Sequence, residues 1–136
     1  MTRVVADLVE HLRSRIGQDV DSKFDDEIRR MGGEATANGD DISEWSGAER
    51  VIKSAVETFG ELHVVVNNAG ILRDRMLVNM TPDEWDAVIK VHLRGTFCMN
   101  QQAAVHWREL SKAGLPVDAR IINTTSPTGL RPDSAS

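Results

Sequence analysis

The chain has 136 residues, a formal net charge of -5 and 27% charged residues. This length suits one domain, and the negative charge argues against a nucleic-acid partner, since phosphate binding needs a basic face. No apolar run approaches the ~20 residues of a membrane span, and no signal-peptide pattern opens the chain, so no membrane partner is expected. A single cysteine, Cys98, favours a reducing, cytoplasmic location.

The first part of the chain predicts two strands around a helix. Arg3–Asp7 (RVVAD) is a short apolar run closed by an acid, which is typical of a buried strand. Ser22–Met31 has apolar residues on one helical face, with Ser22 as the cap and a Gly-Gly pair as the stop. Glu34–Ala37 is interpreted as a short strand before an acidic turn.

The middle of the chain has two strong patterns. Glu44–Phe59 carries an apolar stripe with helical spacing, and Gly60 ends the predicted helix. Leu62–Val66 (LHVVV) is rich in β-branched residues, which favours a parallel strand covered on both faces.

A helix start and a final strand complete the pattern. The run Thr81-Pro82-Asp83-Glu84 predicts a capped helix that continues to about Lys112, with an irregularity at Gly95. Arg120–Thr125 (RIINTT) is interpreted as another strand. The alternating order predicts one α/β domain over residues 1–136, a doubly wound parallel sheet with right-handed crossovers.

A polar turn, Asn67–Gly70 (NNAG), directly follows the most apolar strand. In parallel sheets, ligands bind at the carboxyl ends of the strands. Asparagine amides can bridge neighbouring loops, and glycine lets a flat ligand approach the backbone. An ordinary polar turn is the alternative for these four residues alone.

The longer stretch Val64–Phe97 (VVVNNAGILRDRMLVNMTPDEWDAVIKVHLRGTF) resembles the cofactor loop and long helix of short-chain dehydrogenases/reductases. It is most similar to the branch that acts on (3R)-hydroxyacyl thioesters in multifunctional β-oxidation enzymes. Downstream, Asp118–Leu130 (DARIINTTSPTGL) resembles the family's strand that carries the catalytic serine. The resemblance implies a Rossmann-like fold and hydride transfer between nicotinamide and a small-molecule alcohol or ketone, with an acyl thioester as one option.

The resemblance also implies cofactor contacts in the polar turn. Asn68, Ala69 and Gly70 would line the adenosine side of NAD(H), and Asn67 would hold adjacent strands together.

Three further residues resemble cofactor-binding positions. Asp41 and Ile42 resemble the pair that flanks the adenine ring, with a simple acidic turn as the alternative. Asp7 ends the first strand, where an acid would bind both ribose hydroxyls and repel a 2′-phosphate. The cofactor predicted is therefore NAD rather than NADP.

Two residues resemble catalytic positions. Ser126 matches the serine that hydrogen-bonds the substrate carbonyl. His92, on the helical face of Trp85 and Val88, stands where most of the family has an asparagine at a helix kink that holds a relay water. A helix-packing histidine is the alternative. The histidines and Cys98 lack metal-ligand spacing, so no metal is predicted.

Two elements of the family pattern are missing. There is no tyrosine and no lysine after Lys112, whereas the family's proton donor is a tyrosine followed four residues later by a lysine. No glycine spacing fits the family's pyrophosphate turn. We therefore expect an inactive internal fragment whose sheet lacks the family's first strand, a central one, and the last strands and helices. Two exposed strand edges would then result.

Two other interpretations remain open at this point. The chain could be a non-catalytic α/β module that binds a nucleotide or pairs with a subunit, or a truncated product without function. Members of the family usually form homo-oligomers through the long helix.

Overall fold

The computed structural model describes residues 4–6 and 19–126 of the chain. The described strands form one parallel sheet in the order β1, β2, β3, and these are Val4–Ala6, Val64–Asn67 and Arg120–Asn123. The α-helices are, in chain order, α1 (Asp19–Arg30), α2 (Trp45–Phe59), α3 (Pro82–Ile89) and α4 (Thr96–Lys112). A 3₁₀ turn covers Leu77–Asn79, and a π-helical segment, Lys90–Gly95, joins α3 to α4.

The described core lies between β2 and the helices α2 and α4. The buried residues of α2 form the apolar stripe that the sequence predicted, and they meet the buried face of α4. The core residues are Ile42, Ala48, Val51, Ile52, Ala55, Leu62, Val65, Cys98, Met99, Ala103 and Trp107. Burying one side chain the size of Val or Ile contributes about 1.5–3 kcal/mol, so this stripe decides where the two helices pack.

Trp107 anchors the long helix to the start of β2. Its indole Nε1 donates to the backbone oxygen of Leu62 at 2.7 Å, and both residues are buried. A buried indole N–H needs such an acceptor, because an unpaired one costs about 1–3 kcal/mol.

The strand β2 is less covered than the sequence predicted. Val65 is buried, whereas Val64 and Val66 are only partly buried. In the described part of the chain, α2 and α4 cover the Val65 face, which explains the difference between alternate residues.

The first helix was predicted with the wrong start. It begins at Asp19, so Ser22 lies inside it and does not cap it. The predicted stop is confirmed: Gly32 has φ +84°, and the Gly33 amide donates to the Ile28 oxygen at 2.9 Å.

The short strand predicted at Glu34–Ala37 is wrong, because this segment is irregular. Side chains of α1 bind its backbone instead of a neighbouring strand. Arg29 donates to the Ala35 oxygen at 2.9 Å, and the Ala37 amide donates to Asp25 at 3.0 Å. These bonds satisfy backbone groups that a sheet would otherwise pair.

The predicted gap beside β2 is also wrong. Val4–Ala6 pairs directly with β2 in parallel, with Val4 opposite Val64 and Ala6 opposite Val66. The expectation was that a missing central strand would leave both edges open. The N–H and C=O groups at an unpaired strand edge need hydrogen-bond partners, and β1 provides them for this edge of β2.

The helix start at Thr81 is confirmed. The Thr81 hydroxyl accepts from the Glu84 amide at 3.3 Å, and the Glu84 carboxylate accepts from the Thr81 amide at 3.1 Å. Pro82 occupies the first turn, where its missing N–H costs nothing. None of the described helices is long and apolar enough to cross a membrane.

Candidate functional site

A groove lies along β2, between this strand and helices α2 and α4, and it extends to the residues that follow the carboxyl end of the strand. Four of the predicted cofactor residues line it: Ile42, Asn67, Asn68 and Ala69. Thr96 and Met99 contribute the side formed by α4. The groove lies where parallel α/β sheets bind their ligands, because strand ends and the following loops meet there.

Asn67 ties three elements together at the base of this groove. Its Nδ2 donates to the Asn100 Oδ1 of α4 at 2.7 Å and to the Asn123 Oδ1 of β3 at 2.8 Å. The Thr124 amide donates to the Asn67 oxygen at 2.9 Å. The amide of Asn67 therefore bridges β2 to β3 and to α4, and this bridge fixes the direction in which the next loop leaves the strand.

The turn at Asp41–Glu44 contributes Ile42 to the lining of the groove. Asp41 Oδ1 accepts from the amide of Ser43 at 2.8 Å and also from its hydroxyl. Lys90 lies 3.5 Å from Asp41 Oδ2 and 2.8 Å from Glu44 Oε1. Partial burial alone would raise the pKa of Asp41, but the bonds from Ser43 and the Lys90 charge lower it by more, so the pKa is lowered overall.

This turn is pressed against the first residues of α2. A Cβ added at Gly47 would lie 2.0 Å from the Asp41 oxygen, so only glycine fits there. Ile42 is buried, and a Cβ at Gly95 would lie 3.1 Å from its Cδ1. The side chain of Ile42 thus fills the space between the turn and the start of α4.

His92 contacts the end of the polar turn. Its Nε2 lies 3.0 Å from the Ile71 nitrogen and 2.8 Å from the Ile71 oxygen. A Cβ at Gly70 would lie 2.7 Å from the His92 Cε1, so the imidazole packs directly on this glycine. The described contacts of His92 therefore go to the backbone of residues 70–71.

Of the other two predicted residues, one falls within the described part of the chain and one does not. Ser126 is exposed and follows β3, and the described lining of the groove includes neither Ser126 nor His92. Asp7 lies outside the described residues, as does everything after Ser126. The structure thus brings Ile42 together with Asn67–Ala69, and it brings Gly70 together with His92.

The sequence analysis missed Lys90, Arg94 and Asn100. Arg94 Nε donates to the Ser43 oxygen at 2.7 Å, and Ser43 is only 1% exposed. The spacing of four between Lys90 and Arg94 places them on one helical face, and this spacing was the available signal. Asn100 had no such signal, since its partner is 33 positions away.

A sequence model described as short chain dehydrogenase matches residues 10–135. This range covers nearly the whole chain. The chain belongs to the short-chain dehydrogenase family.

Several members of the family are similar in sequence. A hydroxyacyl-CoA dehydrogenase, ChsB1, of Mycobacterium tuberculosis is 50% identical over 73% of this chain and 32% of its own length. Peroxisomal multifunctional enzyme type 2 of Mus musculus is 42% identical over 76% of this chain and 13% of its own length. The chain therefore spans about a third or less of these relatives.

Solved short-chain dehydrogenases share the fold. One from Mycobacterium avium has a TM-score of 0.76 and 55% identity, covering 79% of this chain and 38% of that one. A 3-ketoacyl-(acyl-carrier-protein) reductase from Brucella melitensis, complexed with NADH, has a TM-score of 0.68 and 27% identity. The match covers 82% of this chain and 46% of the reductase. The predicted family and the Rossmann-like α/β fold are confirmed.

Proposed function

We propose that this chain contributes the adenosine side of an NAD(H) site in an oxidoreductase that transfers a hydride between nicotinamide and a hydroxyl or carbonyl group. The observation that carries this proposal is the groove at the end of β2, where Ile42 meets Asn67, Asn68 and Ala69. The sequence predicted Asn68 and Ala69 at the adenosine side, Ile42 beside the adenine ring and Asn67 between adjacent strands, and Ile42 lies well before the other three in the chain.

The chemistry of the groove suits an adenosine group. Its floor is apolar, with Ile42 and Met99 buried, and this favours a flat aromatic base. The Asn67 Nδ2 already donates to Asn100 and Asn123, so the part that Asn67 plays is to hold the shape of the groove. Asn68 is exposed at the rim, where its amide can bond to a ribose or base. NAD(H) itself would supply the hydride when bound.

The substrate class rests on the relatives. A relative named hydroxyacyl-CoA dehydrogenase supports a hydroxyacyl thioester over a simple alcohol. In this proposal Ser126 bonds to the substrate carbonyl and His92 lies beside the cofactor turn. The cytoplasmic location and homo-oligomeric assembly stay predictions.

Preference for NAD over NADP rests on Asp7. An acid at the end of a strand in this fold binds the ribose hydroxyls and repels a 2′-phosphate. We expect the chain to bind NADH at least about tenfold more tightly than NADPH, and we expect Asp7→Asn to reduce this ratio of affinities. Equal affinities in the unmodified chain would contradict the preference.

The cofactor proposal is tested by titrating the chain with NADH, using energy transfer from its three tryptophans to the dihydronicotinamide. Asn68→Ala is expected to weaken NADH binding by about three- to tenfold, because it removes one or more hydrogen bonds. The matched control is Asn79→Ala, since Asn79 is also exposed but lies in the 3₁₀ turn. Absence of saturable NADH binding by the unmodified chain would contradict the proposal.

A further inference from the structure

The π-helical segment Lys90–Gly95 lies between the two turns that border the groove. The first turn is Asp41–Glu44 and the second is Asn68–Ile71. A π-helical turn inside a longer helix recurs at functional sites in proteins, because it redirects side chains that an α-helix would place elsewhere. The contacts of Lys90–Gly95 therefore identify the residues that this segment positions.

One side of the segment binds the first turn. Lys90 pairs with Asp41 and Glu44, and Arg94 Nε donates to the Ser43 oxygen at 2.7 Å. One turn further along, the Cys98 Sγ lies 3.9 Å from the same oxygen. The backbone oxygen of a residue that is 1% exposed thus depends chiefly on Arg94 for its partner.

The other side of the segment binds the second turn. His92 lies two residues from both Lys90 and Arg94, which places it roughly opposite them around the helix. Its Nε2 is within hydrogen-bond distance of both the nitrogen and the oxygen of Ile71. The neutral ring has two tautomers, and in each of them Nε2 has a backbone partner: it accepts from the N–H or donates to the carbonyl.

We propose that the segment Lys90–Gly95 positions both turns for dinucleotide binding, with Arg94 holding Asp41–Glu44 and His92 holding Asn68–Ile71. This inference rests on the proposed function, since it assumes that NAD(H) occupies the groove. Arg94 and His92 are positioning residues, because they act through the backbone of the turns. The segment would keep the two walls of the groove at a fixed separation.

The first readout is site-specific amide exchange without cofactor. Arg94→Met should speed exchange at the Ser43 and Glu44 amides by about fivefold or more, because a buried carbonyl loses its partner and the turn opens. His92→Phe should speed exchange at Ile71 in the same way, since phenylalanine keeps a ring against Gly70 but has no nitrogen. Each variant should leave the other turn unchanged.

The second readout is NADH affinity, compared with the urea midpoint of unfolding. Both variants should weaken NADH binding by about fivefold under conditions where the urea curve shows each variant still folded, which separates positioning from global unfolding. Arg94→Lys and His92→Gln should restore most of the affinity, because each keeps a donor at nearly the same reach. Arg108→Met, an exposed arginine on α4, is the control.

Two results would overturn the inference. One is that the amides of Ser43, Glu44 and Ile71 exchange in the variants at the same rates as in the wild-type chain. The other is that Arg108→Met loses as much NADH affinity as Arg94→Met and His92→Phe do. A wild-type chain that does not bind NADH would contradict the proposed function instead. In that case the cofactor-free exchange still decides whether the segment holds the two turns.

Discussion

Asp41 is the most heavily bonded carboxylate in the walls of the groove. Ser43 donates its amide and its hydroxyl to Oδ1, while Lys90 lies beside Oδ2. These donors favour the charged form more strongly than partial burial opposes it, so the pKa of Asp41 lies below 3.8. The charge on this residue therefore helps to hold the turn that contains Ile42.

This lowered pKa gives a pH-dependent stability. A depressed folded-state pKa stabilises the fold above about pH 4, and the contribution is lost as the pH falls through the lowered value. We expect Asp41→Asn to be less stable than the unmodified chain near neutral pH, and the difference to shrink in acid. Urea unfolding of both chains at several pH values measures it.

Ser43→Ala provides a check on the cause. It removes the hydroxyl donor while the amide of residue 43 still bonds to Asp41. A smaller acid-dependent difference of the same sign is expected. A difference between Asp41→Asn and the unmodified chain that stays constant across pH would contradict the linkage.

At the scale of elements, local chemistry explains the helix boundaries that were predicted well. The Thr81 cap depends on residues three positions apart, so the run Thr81–Glu84 contains all that the start of α3 needs. Gly60 ends α2 with φ +81° and donates its amide to the Val56 oxygen. These capping and stop patterns involve only neighbouring residues, so they can be recognised in the sequence alone.

Removing the Thr81 cap should destabilise the fold. Thr81→Ala is expected to lower the free energy of unfolding by about 1 kcal/mol, because the Glu84 amide loses its acceptor. The control is Thr58→Ala, an exposed threonine in the last turn of α2. Urea titrations measure the free energy of unfolding of both variants. Equal losses would show that the capping box contributes no more stability than an ordinary exposed threonine.

The strand assignments depended on more distant partners. Residues 34–37 have a pattern that suits a strand, but Arg29 and Asp25 of α1 bind their backbone. The π-helical segment is another case, because the approach of its side chains to Ser43 and Ile71 involves residues 21 to 51 positions away. Sequence analysis predicted an irregularity near Gly95 but not the contacts that accompany it.

At the scale of the whole molecule, β2 is covered on its Val65 face, whereas β3 is exposed. Val65 of β2 is buried by α2 and α4, whereas Ile122 of β3 is 52% exposed. On the long helix, Phe97 is 59% exposed and contacts the ring of Trp45. Homo-oligomeric pairing through this helix stays a prediction.

The composition of the molecule limits its chemistry. The 136 residues include no tyrosine, and the family's proton donor is a tyrosine. We expect the purified 136-residue chain to show no oxidation of 3-hydroxyacyl thioesters above background in an assay of NADH formation, even where NADH binding is retained. Turnover above background would show that another residue accepts the hydroxyl proton during the oxidation.

The sequence by itself determined the family, the parallel α/β fold, the capped start at Thr81, the glycine stops of α1 and α2, and the candidates for the adenosine wall. These follow from hydrophobic periodicity, local capping chemistry and a distinctive motif, all of which act within a few residues. Only the tertiary structure decided that β1 pairs directly with β2 and that Lys90, His92 and Arg94 bind two separate turns. Those contacts join residues far apart in the chain, and which backbone groups find partners is settled only when the strands and helices pack.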